Sequence, residues 1–187
     1  MASCVRSGSQ SMLWHDLIRE AEGLSHRQLS EELESYLVFT LMRFTQDGGL
    51  AQRVMALDFL DSMALVGKQR EQALRDVGDR CLLLAGLFPE QARARRVSVQ
   101  YFCALGRSAY DELSAQTRAA LRQLYAQLAE TFQALVRVLI EVRKLSREWR
   151  GPDLLTTVEL WQATTGPQSE LADAFPNAFV VPGVGHG

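Results

Sequence analysis

Nucleophiles, general bases and metal ligands are scarce in this chain, which holds three histidines (His15, His26, His186) and three cysteines (Cys4, Cys81, Cys103). Carboxylate-bridged two-metal bundles need paired Glu-x-x-His motifs and further carboxylates, because each metal takes nitrogen and bridging oxygen together. No histidine here completes such a motif. The nearest pair, Glu22 and His26, stands at i, i+4 across Gly23, a residue expected to end a helix between them. His15-Asp16 is the dipeptide of metal-dependent HD phosphohydrolases, but their later histidines have no counterpart before His186. The chain has no phosphate loop, dinucleotide fingerprint or nucleophile elbow. Gly183, Gly185 and Gly187 are expected to form a flexible end without a following helix to supply a dipole. A cysteine nucleophile needs a histidine base, and neither Cys81 nor Cys103 has an evident one. The expectation is therefore no metal, no cofactor and no catalytic residue.

The ionisable residues that remain of interest lie on or beside apolar helical faces: Arg43, Asp61, Asp79, Arg80, Tyr101, Tyr110 and Glu159. A buried charge needs a partner, so each of these reads first as a structural ion pair or hydrogen bond inside a bundle. The alternative is convergence on a ligand cavity between helices. Its candidate lining is Phe39, Arg43, Met55, Asp61, Met63, Tyr101, Phe102 and Phe132. Two basic clusters also stand out. Arg93, Arg95 and Arg96 sit early in an expected helix, where cations oppose the macrodipole. Arg143, Lys144, Arg147 and Arg150 sit late in another, where cations are favoured for structural reasons alone. With a net charge of −2 and no aromatics interleaved with either cluster, nucleic-acid binding is a distant third reading.

The elements that must position these groups read as helices throughout. Leu121, Leu128, Leu135, Val142 and Trp149 recur every seven residues, with Tyr125, Phe132 and Leu139 four places after the first three. This heptad seam predicts one long helix over about 114–150, roughly 54 Å at 1.5 Å per residue, around which the other segments pack. Before it we expect helices at Met12–Glu22, from Ser25 (capped with Gln28) to Asp47, Leu50–Val66, Lys68–Leu87, Pro89–Leu105 with Gly106 beyond its end, and a short Ser108–Leu113. Gly78, inside the fourth, predicts close helix approach. After Arg150, Leu154, Leu155, Val158 and Trp161 form another helical face. The expected fold is all-α, a single-domain bundle of about six to eight helices over 11–175, with a flexible leader (1–10) and an extended tail (176–187).

At 187 residues, 47% apolar and 22% charged, the chain suits one soluble domain with a real core. An odd number of widely spaced cysteines reads as reduced and structural. No apolar leader opens the sequence and no stretch approaches a membrane span, so a cytoplasmic location without membrane contact is expected.

Residues 82–90 (LLLAGLFPE) and 101–113 (YFCALGRSAYDEL) resemble a pattern of uncharacterised bacterial all-helical proteins. The resemblance spans the middle half of the chain and implies a fold class with no known activity.

Surplus apolar surface motivates the functional expectation. On the second helix Glu32, Tyr36, Phe39 and Arg43 follow i, i+4, i+7, i+11, a second face suited to covering by another subunit. The first reading is a non-catalytic protein acting through protein–protein contacts, as a homodimer or with another protein. The second is a bundle binding a small apolar or aromatic ligand or cofactor, with enzymatic activity open.

Overall fold

The computed structural model describes residues 10–47, 55–90 and 97–148, and every regular element among them is an α-helix. The seven are α1 (Gln10–Ser25), α2 (Glu31–Asp47), α3 (Met55–Ala64), α4 (Gly67–Gly86), α5 (Val99–Gln116), α6 (Ala119–Glu130) and α7 (Phe132–Glu148). The all-α bundle expected from hydrophobic periodicity is what forms. The leader, the tail, Glu159, the 154–161 face and Arg93, Arg95 and Arg96 lie outside the described residues.

α4 is the hub. It packs along α5, against α3 on one side and against α7 on another, while α7 also carries α1 and α5 carries α6. Its fourth turn onward, Cys81 to Phe88, is buried residue after residue, as befits a helix covered on all sides. α1 buries Trp14, Leu17, Ile18 and Ala21, the i, i+3, i+4, i+7 stripe of a helix with one covered face.

Local chemistry moves several boundaries from their expected places. α1 runs through Gly23 and stops at Ser25, because His26 takes the left-handed conformation (φ 52°) and Arg27 N–H reaches back to the Glu22 carbonyl at 3.1 Å. Ser25 therefore closes a helix, and the cap of α2 is Ser30, whose Oγ accepts from Leu33 N–H at 3.4 Å. The Glu22 carboxylate accepts from Leu29 N–H at 2.5 Å and holds the connecting turn. Burial raises the pKa of Glu22 against that hydrogen bond.

The expected rod over 114–150 is instead two helices and the end of a third. Residues 114–116 finish α5, Thr117 and Arg118 are extended, and α6 and α7 meet at Thr131. Thr131 departs from helical geometry (φ −94°, ψ 10°), and its Oγ1 (2.7 Å) shares the Gln127 carbonyl with its own N–H (2.9 Å), back-bonding of the kind that bends helices. The seam itself survives the break. Tyr125, Leu128, Phe132, Leu135, Leu139 and Val142 are all buried, and among the seam's described residues only Leu121, 46% exposed, stands out of it, Trp149 lying outside them.

Gly106 is likewise no helix end but lies inside α5, where Ser108–Leu113 continues the same helix. A Cβ there would fall 2.5 Å from the Phe132 ring and 2.9 Å from Cys81 Cβ. At Gly78, as its place in a helical pattern predicted, the approach is equally close: a Cβ would meet Cε1 of Tyr110 at 2.5 Å. Gly78→Ala should therefore overpack the α4–α5 contact and destabilise by about 1–3 kcal/mol, instead of stabilising as alanine does in an open helix. A chemical-denaturation midpoint unchanged or raised would contradict this contact.

Candidate functional site

The densest polar chemistry among the described residues gathers round Asp79. On α2, Tyr36, Thr40 and Arg43 fall at i, i+4 and i+7, one face pointing at α4. On α4, Arg75 and Asp79 are an i, i+4 pair, with Asp76 a step round the helix. α5 contributes Tyr110 and α6 contributes Tyr125. Backbone approach between α2 and α4 is slight, since α2 packs on α1, and long side chains span the gap.

Asp79 is buried, and both of its oxygens are engaged. Oδ1 accepts from the Tyr36 hydroxyl at 2.6 Å and from the Tyr110 hydroxyl at 2.7 Å. Oδ2 accepts from Arg43 Nη2 at 2.5 Å and faces Arg75 Nε at 3.7 Å. Arg43 forks, its Nη1 reaching Asp76 at 3.1 Å, and Gln72 holds that same carboxylate oxygen at 2.9 Å. Around this polar centre the rings of Tyr36, Tyr110 and Tyr125 form a triangle with every centroid separation 6.3 Å. Tyr36 meets the other two edge-on (82° and 87°), while Tyr110 and Tyr125 stack at 24°, the arrangements that ring quadrupoles favour. Arg75 lies 6.0 Å from the Tyr36 centroid, within cation–π reach.

Burial raises the pKa of Asp79 above the ordinary carboxylate value, outweighing Arg43, the two phenolic hydrogen bonds and Arg75. Burial, then the Asp79 charge, holds the phenols of Tyr36 and Tyr110 well above 10. The cluster sets two guanidiniums (Arg43, Arg75) against two carboxylates (Asp76, Asp79), so no surplus charge is left to draw an ionic ligand. Asp79 has no lone pair turned to solvent and two of its donors are themselves closed to water. What such an arrangement does is fix the register of four helices.

The structure thus brings Arg43, Asp79 and Tyr110 together and disperses the other candidates. Arg80 pairs with Asp58 at 3.5 Å, and Asp61 is exposed. Asp58, Asp61, Ser62, Leu65, Asp76 and Arg80 are among the residues lining an open groove of about 550 Å³ between α3 and α4. Of the expected pocket lining, Phe102 and Phe132 are core, whereas Phe39 (67% exposed), Met63 and Tyr101 (40%) stand at the surface. Of these candidates only Asp61 lines the groove between α3 and α4, and the side chain of Met55 lies outside those described. The expected α2 interface divides in the same way: Glu32 and Phe39 remain exposed, while Tyr36 and Arg43 turn inward to Asp79. At the basic end of α7, Arg143 binds Glu90 at 2.5 Å and Lys144 binds Glu141 at 2.7 Å, so both cations are already paired. The side chains of Arg147 and Arg150 lie outside the described residues. Among the described residues no group of three or more His, Cys, Asp or Glu is placed to hold a metal ion, and no described helix is long and apolar enough to cross a membrane.

Tyr125, Arg75 and Asp76 escaped the sequence reading. Tyr125 was absorbed into the heptad seam, and an Arg-Asp pair on a helix looks the same exposed as buried. Comparison with protein-family models, curated proteins and solved structures finds no match for this chain. The resemblance drawn at 82–90 and 101–113 therefore rests on those residues alone.

Proposed function

We propose that this chain is a non-catalytic helical protein that works through protein–protein contact, first of all with a second copy of itself. The observation that carries this reading is α3, which packs Phe59 against the core yet leaves two of its leucines in water. Its fully buried side chain is Ser62, at 0% exposure, while Leu57 (48%), Leu60 (63%) and, in the turn that follows, Val66 (79%) face water. A helix at the surface normally buries its apolar side chains and exposes its serines. Exposed leucines set side by side, unlike apolar residues scattered singly, supply the surface a partner would cover. The full Asp79 cluster supports the same reading from the other side, since its groups are used up in holding the bundle.

Self-association is read directly from the mass in solution. At high micromolar concentration, light scattering should report twice the 20.9 kDa of one chain. Leu60→Asp, which puts a carboxylate where an anchor is to be desolvated, should weaken association by about 30-fold or more. Helical circular dichroism should be unchanged, because the residue is already exposed. A monomeric wild type at all concentrations would remove the proposal.

A further inference from the structure

The charges flanking the apolar stripe on α3 specify how a second copy meets it. We infer that two copies pack α3 on α3 antiparallel across a two-fold axis, with Lys68 of each copy beside Asp61 of the other. This rests on the self-association reading above and goes on to its geometry.

Leu57, Leu60 and Ala64 stand at i, i+3 and i+7, the spacing of a seam made for one facing helix, and they lie opposite buried Ser62. Asp61 and Lys68 both line the groove between α3 and α4, so they lie on the same flank of that seam. Both are exposed, and among the described residues neither makes an ion pair within the chain. The opposite flank holds Met63 and Arg70, and Arg70 is already engaged by Glu112 at 3.4 Å and by the Met63 sulfur at 3.3 Å.

A two-fold axis lying in the contact plane and perpendicular to α3 keeps each flank on its own side and reverses the ends. Lys68 follows the carboxyl end of α3, so reversal carries it alongside the partner's α3, on the flank where the partner's Asp61 stands without a cation. Because such an interface is isologous, the pairing occurs twice. A parallel arrangement exchanges the flanks instead. It would set Asp61 against the Met63 side, where the one base is taken, and leave Lys68 without an acid. Opposite charges on one flank of a self-complementary patch thus favour the antiparallel register, with electrostatics setting orientation and apolar burial setting strength.

The test is sedimentation equilibrium on the full chain at low salt for Asp61→Lys, Lys68→Asp, the two combined, and Leu60→Asp as reference. Each single reversal should weaken self-association about 10-fold. The combined variant, with the pair inverted, should return to near the wild-type value. Weakening should fade as salt is raised, because rim charges are screened. Single reversals without effect, beside a Leu60→Asp that abolishes the dimer, would overturn the register and leave self-association standing. Losses that add in the combined variant would overturn it too. A dimer indifferent to Leu60→Asp would overturn the α3 surface altogether.

Discussion

Asp79→Ala is expected to be the most damaging single change in the described bundle, lowering stability by about 3–5 kcal/mol. The loss is larger than one hydrogen bond because one truncation strands several groups. The hydroxyls of Tyr36 and Tyr110 lose their acceptor in a site closed to water, and Arg43 keeps only Asp76. Each buried donor left unsatisfied costs about 1–3 kcal/mol. For a chain of this size that predicts a melting temperature lower by about 10 °C, at about 2–4 °C per kcal/mol. Asp79→Asn keeps an oxygen for the two phenols and loses the charge, so it should fall between wild type and alanine. Tyr36→Phe and Tyr110→Phe should each weaken the protein less than Asp79→Ala, and in the Asp79→Ala background they should recover stability by removing a stranded hydroxyl. An alanine variant within about 1 kcal/mol of wild type would show that the carboxylate is dispensable to the α2–α4 junction.

The same carboxylate fixes the sign of the acid response. A carboxyl whose folded pKa is raised contributes stability that is complete below its unfolded value, 3.8, and is lost as pH rises through the folded value. Glu22 follows the same rule from 4.5. Mild acidification therefore does not withdraw stability at these two residues, in contrast to an ordinary salt-bridged carboxylate.

How far the sequence anticipates this molecule depends on which physical signal each part carries. Apolar spacing is local and strong, so the helices and the buried seam from Tyr125 to Val142 were legible. Helix ends were less so, because two of them turn on side chains with no distinctive pattern. His26 does the work usually left to glycine, and Thr131 turns out of helical geometry while its hydroxyl shares the Gln127 carbonyl. Neither Thr117 nor Thr131 is accompanied by glycine or proline, so nothing interrupts the heptad reading there. Within the polar cluster, Arg43, Asp79 and Tyr110 are legible because charge or hydroxyl on an apolar face demands a partner. Their mutual contact is not legible, since it joins residues 36 and 31 positions apart through tertiary packing alone. Which face of α3 the bundle covers is hidden for the opposite reason: a helix apolar almost all round does not signal that Phe59 packs inward while Leu57 and Leu60 stay exposed.

Alkaline titration should give the other large effect, because the tyrosines that hold Asp79 cannot ionise where they are. An unfolded phenol loses its proton around pH 10, whereas Tyr36 and Tyr110 stay protonated well above it. Past that point the unfolded chain binds fewer protons than the folded one, so stability falls as pH rises. Two such residues give a slope of about 2.7 kcal/mol per pH unit beyond pH 10. A domain of ordinary stability then unfolds within a few pH units. Of the four tyrosines, Tyr101 is 40% exposed and should ionise first, while the helical circular dichroism is still intact. The phenolate absorbance of Tyr36 and Tyr110 should instead rise in one step, at the pH where the helical signal collapses. In the Tyr36→Phe/Tyr110→Phe variant the protein starts less stable at neutral pH, but its stability should decline with a much shallower slope above pH 10. Four phenols ionising together near pH 10 in a protein that keeps its helices would show the ring triangle open to hydroxide, and the closed centre described for Asp79 would be lost with it.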